Sequence, residues 1–86
     1  MDRVDFEKLF RIYFAPLTNI AYSFVRDRDT ACDIVQSVFL RLWDNLDKTN
    51  INSSEKSYLH RAVINTALNY IEKNKTVRIL NAAVIA

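Results

Sequence analysis

The sequence predicts an all-α domain of three helices, and three observations carry that prediction. The 86 residues include no glycine and one proline, whereas the hairpin turns of a β-rich fold need residues that tolerate positive φ. Apolar side chains recur at three- and four-residue spacing along three segments. Two short polar stretches, 26–29 and 47–53, separate those segments. Half of the residues are hydrophobic and 26% are charged, with 5 Phe, 4 Tyr and 1 Trp, enough apolar material to offset the ordering entropy of one small core. A chain of this length buries only about 60% of its unfolded surface, so one domain is expected.

The first helix is expected from about Asp5 to Val25, where Phe6, Leu9, Phe10, Tyr13, Phe14, Leu17, Ile20, Ala21 and Phe24 share an apolar face. Pro16 falls inside it. Proline removes one backbone donor and crowds the preceding turn, which predicts a kink or a short break near Ala15. The second helix is expected from about Asp29 to Asn45, capped by Asp27, Asp29 or Thr30, with Asp33 as a capping-box partner three residues after Thr30. The third begins after Asn52, Ser53 or Ser54, has Glu55 in its first turn, where the helix dipole favours negative charge, and reaches at least Lys73 or Lys75. The run 79–86 is apolar without a polar face of its own. It reads as a continued helix cut short, a boundary of the segment or an interface segment, which divides the chain into a domain over 1–78 and a tail over 79–86.

Composition removes several function classes. A lone Cys32 and a lone His60 cannot form a disulfide or a Cys/His zinc cluster, so no metal or cofactor is expected. His60 has no obvious nucleophile in sequence, and a chain without glycine has no Gly-rich phosphate loop. No catalytic residue is therefore assigned, and an enzyme is not expected. The longest uncharged run, 12–25, and the apolar run 79–86 are too short or too polar to span a bilayer, and no apolar leader follows Met1. A cytoplasmic protein without membrane insertion is the expectation. The charge is uneven: residues 1–47 hold 6 Lys and Arg against 8 Asp and Glu, residues 48–86 hold 6 against 2, so a net −2 half precedes a net +4 half. Such a division suits a basic protein surface on one side and a polyanion on the other.

On a helical wheel the second helix buries Ala31, Ile34, Val35, Val38, Phe39, Leu42 and Leu46. Its opposite face carries Asp33, Gln36, Ser37, Leu40, Asp44 and Asp47, with Trp43 at the margin. Single exposed apolar residues are ordinary on protein surfaces, but Leu40 and Trp43 among carboxylates also fit a docking surface for a basic partner. The third helix turns Leu59, Ala62, Val63, Thr66, Ala67 and Tyr70 inward, with Ile64, Leu68 and Ile71 widening the stripe. Tyr58, Arg61, Asn65, Asn69 and Glu72 lie on the other side. A ring, a guanidinium and two amides on one face can stack on and hydrogen-bond to exposed bases. Lys56, Lys73, Lys75 and Arg78 near the helix ends would supply phosphate contacts.

These residues also resemble a known family. Phe6-Glu7-Lys8-Leu9-Phe10, Tyr13-Phe14-Ala15-Pro16-Leu17, the run from Asp29 to Trp43 with its Asp-x-x-Gln-x-x-Phe-x-x-x-Trp spacing, Tyr58-Leu59 and Asn65 to Tyr70 follow the order of region 2 in bacterial RNA polymerase sigma factors of the extracytoplasmic-function group. The likeness covers about residues 5–75. It implies docking of the second helix on the clamp helices of the polymerase β′ subunit, with Asp33, Gln36, Leu40 and Trp43 in the binding segment and Asp44 on the same face. It also implies capture and melting of the minus-10 promoter element, as single-stranded non-template DNA, by the third helix and the loop from Asp47 to Ser54. Tyr58, Arg61, Asn65 and Asn69 fall in that segment, joined by Lys56 and Lys73. An anti-sigma factor is a further implied partner. Ser37 stands where the family usually has an acidic residue, and the third helix has fewer arginines than many members. Region 4, which such factors carry, has no counterpart after Lys75. The competing reading of the same faces is a helical protein-interaction module without a nucleic-acid role.

Overall fold

The computed structural model describes residues 3–45 and 54–85, and for residues 76–79 and 81–85 the backbone alone. Three helices follow in order, α1 (Arg3–Val25), α2 (Arg28–Asp44) and α3 (Glu55–Ile85), and each touches the other two. The all-α expectation is met, and the described residues contain no strand.

Local chemistry sets the helix ends. Arg26 closes α1 with φ at 58°, and its amide donates to the Tyr22 carbonyl at 2.8 Å. Glycine is the usual residue for that left-handed conformation; this chain has none, so an arginine bears the steric cost. Of the three candidate caps for α2, Asp27 is the one used. Its carboxylate accepts from the Thr30 amide at 3.2 Å and from the Thr30 hydroxyl. Thr30 is thus a donor to the cap, and the capping box expected between Thr30 and Asp33 does not form. Ser54 caps α3: its hydroxyl oxygen accepts from the Ser57 amide at 3.1 Å and its carbonyl from the Tyr58 amide at 3.0 Å. The other two candidates, Asn52 and Ser53, lie outside the described residues, as do Leu46, Asp47 and the rest of the loop.

At Pro16 the break does not occur, because α1 is helical from one side of the proline to the other. The core explains why. Leu9, Leu17 and Ala21 are buried on both sides of Pro16, and one missing donor, about 3 kcal/mol in a helix interior, is smaller than the burial that continuity preserves. The Thr18 hydroxyl adds a 2.7 Å bond to the Phe14 carbonyl beside the proline. Apolar residues of all three helices meet in one core, with Leu17, Val35, Leu59 and Val63 fully buried. In α2 the buried residues are Ala31, Ile34, Val35, Val38, Phe39 and Leu42, the expected set among the described residues.

Two inward assignments on α3 are corrected. Tyr70 is 38% exposed and Leu68 47%. Tyr70 lies level with the ends of the neighbouring helices, sharing grooves with Thr30 of α2 and Phe24 of α1, and no further turn of either helix covers it. Among the described side chains of α3 the last buried one is Ala67; Ile71 is half-buried and residues 72–75 are exposed. The helix then continues to Ile85, so of the readings held for the apolar tail the backbone follows the continued helix.

Candidate functional site

Two concave surfaces flank α2, and they differ in chemistry. On the α1 side Phe6, Phe10, Gln36, Phe39, Leu40 and Trp43 line an apolar groove of about 370 Å³. Spacing builds it: Phe6 and Phe10 are one turn apart on α1, and Gln36, Phe39, Leu40 and Trp43 recur at three and four residues on α2. The rings interlock edge to face, Phe6 on Trp43 with centroids 5.1 Å apart, Phe6 on Phe39 at 6.0 Å and Phe10 on Phe39 at 5.1 Å. These are the separations at which aromatic quadrupoles attract. Phe39 is the buried floor, while Phe10, Trp43 and Leu40 remain open to solvent, Leu40 at 62%. The Arg3 guanidinium lies 5.8 Å from the Trp43 ring centroid, a cation over an aromatic face.

On the α3 side Val38, Arg41, Leu42, Asn45, Tyr58, Ala62, Asn65, Thr66 and Asn69 line a second pocket of about 370 Å³. The amides Asn65 and Asn69 are one helical turn apart, so both face α2. Tyr58 is half-buried and packs on the core, a fixed ring rather than the free one its position on the polar side predicts. Across the pocket the Arg41 Nη2 donates to the Thr66 Oγ1 at 2.8 Å, and that hydroxyl donates to the Ala62 carbonyl at 2.7 Å. An adjoining groove of about 460 Å³ brings together Thr30, Asp33, Ile34, Ser37, Thr66, Asn69, Tyr70 and Lys73.

The predicted residues therefore divide in a way the wheel did not foresee. Gln36, Leu40 and Trp43 share the apolar groove. Asp33 lies around the other side of α2, in a groove with Lys73 and Asn69, and Asp44 is exposed beyond Trp43; among the described residues no carboxylate lines the apolar groove. Tyr58, Asn65 and Asn69 come together. Arg61 and Lys56 are exposed and line neither pocket. Sequence reasoning missed Phe6 and Phe10 as groove walls, having placed them on the core face, and missed Arg41, Asn45 and Thr66 as pocket walls. The available signal for Arg41 was its position one residue past Leu40, which turns it toward the opposite flank of α2.

His60 is half-buried, and its Nδ1 donates to the Lys56 carbonyl at 2.8 Å one turn back. Among the described residues no cluster of His, Cys, Asp and Glu is grouped to hold a metal ion, and no helix is long and apolar enough to cross a membrane.

Comparison with known proteins gives a consistent result. The family described as Sigma-70 region 2 matches residues 9–77. The chain is also similar to the RNA polymerase sigma factor SigV of Bacillus subtilis (strain 168), with 26% identity over 62 residues. That alignment covers 72% of this chain and 37% of the relative, so the matched part spans little more than a third of the relative's length. No solved structure matches the chain.

Proposed function

The chain belongs to the sigma-70 region 2 family, and from that premise we propose that it is the promoter-opening part of a transcription initiation factor of the extracytoplasmic-function group. Its two pockets divide the work. The apolar groove of Phe6, Phe10, Phe39, Leu40 and Trp43 docks on the clamp helices of the RNA polymerase β′ subunit. The amide pocket of Tyr58, Asn65 and Asn69 takes an unstacked base of the non-template minus-10 strand.

The observation that carries this reading is the placement of the pockets on opposite flanks of one helix. A partner seated against Leu40 and Trp43 leaves Asn65 and Asn69 uncovered, so polymerase and DNA can be held together. The chemistry of each surface fits its proposed occupant. Large, half-exposed aromatic and leucine side chains concentrate binding energy at protein interfaces. Asp33 and Asp44, exposed on the same helix, would speed encounter with a basic surface. An amide offers a donor and an acceptor side by side to a base edge, and a ring offers a stacking face. Both need a base out of the duplex, because a paired and stacked base hides its edge and its face. Lys56 and Lys73, exposed on α3, add phosphate attraction without sequence preference. An anti-sigma factor would block initiation by covering the apolar groove.

Capture on immobilised core polymerase tests the docking half. The wild-type chain is retained and Leu40→Asp is lost while its thermal melt is unchanged. A melt lowered by several degrees, or retention of the variant, overturns the assignment of Leu40.

A further inference from the structure

Arg41 is the one strongly basic side chain among the described residues of the amide pocket, and its hydrogen bonds fix how it is presented. Its Nε donates to the Ser37 carbonyl one turn back at 3.4 Å, and its Nη2 to the Thr66 hydroxyl on α3 at 2.8 Å. The polarity of the second bond is settled, because the single hydroxyl proton of Thr66 is committed to the Ala62 carbonyl. The oxygen must therefore accept from the guanidinium. Guanidinium carries five N–H donors in one plane, and these two bonds use one on Nε and one on Nη2. Three donors, two on Nη1 and one on Nη2, are left on a group tethered between two helices, in a pocket with Tyr58, Asn65 and Asn69.

We propose that Arg41 is a specificity-determining residue of this pocket, its remaining Nη1 and Nη2 donors reading the paired acceptors of a guanine, O6 and N7, in the captured single strand. The inference rests on the base-capture reading of α3. A planar donor pair matches the two acceptors side by side on the Hoogsteen edge of guanine; adenine and thymine offer no adjacent acceptor pair, and unpaired cytosine, with O2 and N3, is the competitor that the central-base series distinguishes. A lysine in its place would keep the charge but not the plane. The bond to Thr66 adds pre-organisation: an exposed arginine normally loses rotamer freedom on binding, and here part of that ordering has already occurred.

The test uses the 86-residue chain and four fluorescein-labelled thymidine heptamers that differ only in the central base, A, C, G or T, titrated by anisotropy at fixed low salt. The wild type binds the guanine strand tightest. Arg41→Lys weakens the guanine strand about tenfold and the other three by less than about threefold, with a thermal melt close to wild type. Thr66→Val, which frees Arg41 without changing charge, lowers the guanine preference part of the way. The proposal is overturned if the wild type shows no guanine preference, or if Arg41→Lys retains it. It is also overturned if Arg41→Lys weakens all four strands equally, the signature of a phosphate contact. Asn65→Ala and Asn69→Ala separate the two levels. If they weaken single-strand binding while Arg41→Lys leaves the ranking intact, α3 captures bases and Arg41 does not read them. If they too change nothing, the base-capture reading fails with it.

Discussion

The two flanks of α2 hold pockets of equal volume, about 370 Å³ each, yet they are built on different principles. The α1 side is a set of interlocked rings whose floor, Phe39, belongs to the core. The α3 side is a set of hydrogen-bonding groups spanned by one arginine. An apolar surface cannot give up its occupant without exposing rings to water, which suits a protein partner held through many contacts. A polar pocket satisfied by its own hydrogen bonds can stand open in water and exchange them for a ligand's. The proposed docking and base capture would thus place opposite demands on the same helix, and α2 would meet them with adjacent residues, Leu40 and Arg41.

The sharpest way to break this comparison is at the shared core. Leu59→Ala, fully buried on α3, should cost about 2–5 kcal/mol in denaturant unfolding and impair both surfaces together. Loss of one surface with the other intact would mean that the flanks are not held by a common core. Phe39→Ala is of comparable size, at about 3–5 kcal/mol as a large-to-small change, with the aromatic groove losing its floor and docking falling further than DNA binding.

Smaller effects sharpen the division. Asn69→Ala should reduce discrimination among minus-10 variants in promoter opening by about 1–3 kcal/mol per lost base contact, with polymerase binding unchanged. An unchanged ranking of promoters would make the amide a bystander. Lys73→Ala should weaken all variants about equally and lower the salt slope by about one. The smallest change concerns neither pocket: Arg26→Gly removes the steric cost at φ 58° and should raise the melt slightly, by at most about 1 kcal/mol. A drop would show that the Arg26 side chain contributes more than its backbone costs.

These faces were not equally legible in the sequence. The core of α2 was, because period 3.6 on a short amphipathic helix separates six buried residues from their neighbours without ambiguity. The run from Asp29 to Trp43 and the Asn65 to Tyr70 segment were also sufficient to indicate the family. What periodicity could not give was the position of each residue along its helix relative to the ends of the others. Phe10 and Leu17 are seven residues apart on one face of α1, yet Leu17 is fully buried and Phe10 is 39% exposed. Only the packed structure decides which end of a face a neighbour covers. The same reason moved Tyr70 outward. Pocket walls drawn from two helices, such as Arg41 with Thr66, have no signal in either helix alone, since 25 residues separate them. Pro16 failed as a break because its local cost is set against burial on both sides of it.

The measurement that tests the division of α2 most directly is a crossed assay of two variants, each titrated against immobilised core polymerase and against single-stranded minus-10 DNA. If the flanks act separately, Leu40→Asp loses polymerase and keeps single-strand affinity within about twofold, while Asn69→Ala keeps polymerase and loses base discrimination, both with melts near wild type. If either variant lowers both affinities in parallel while remaining folded, the two flanks form one surface and the account is contradicted.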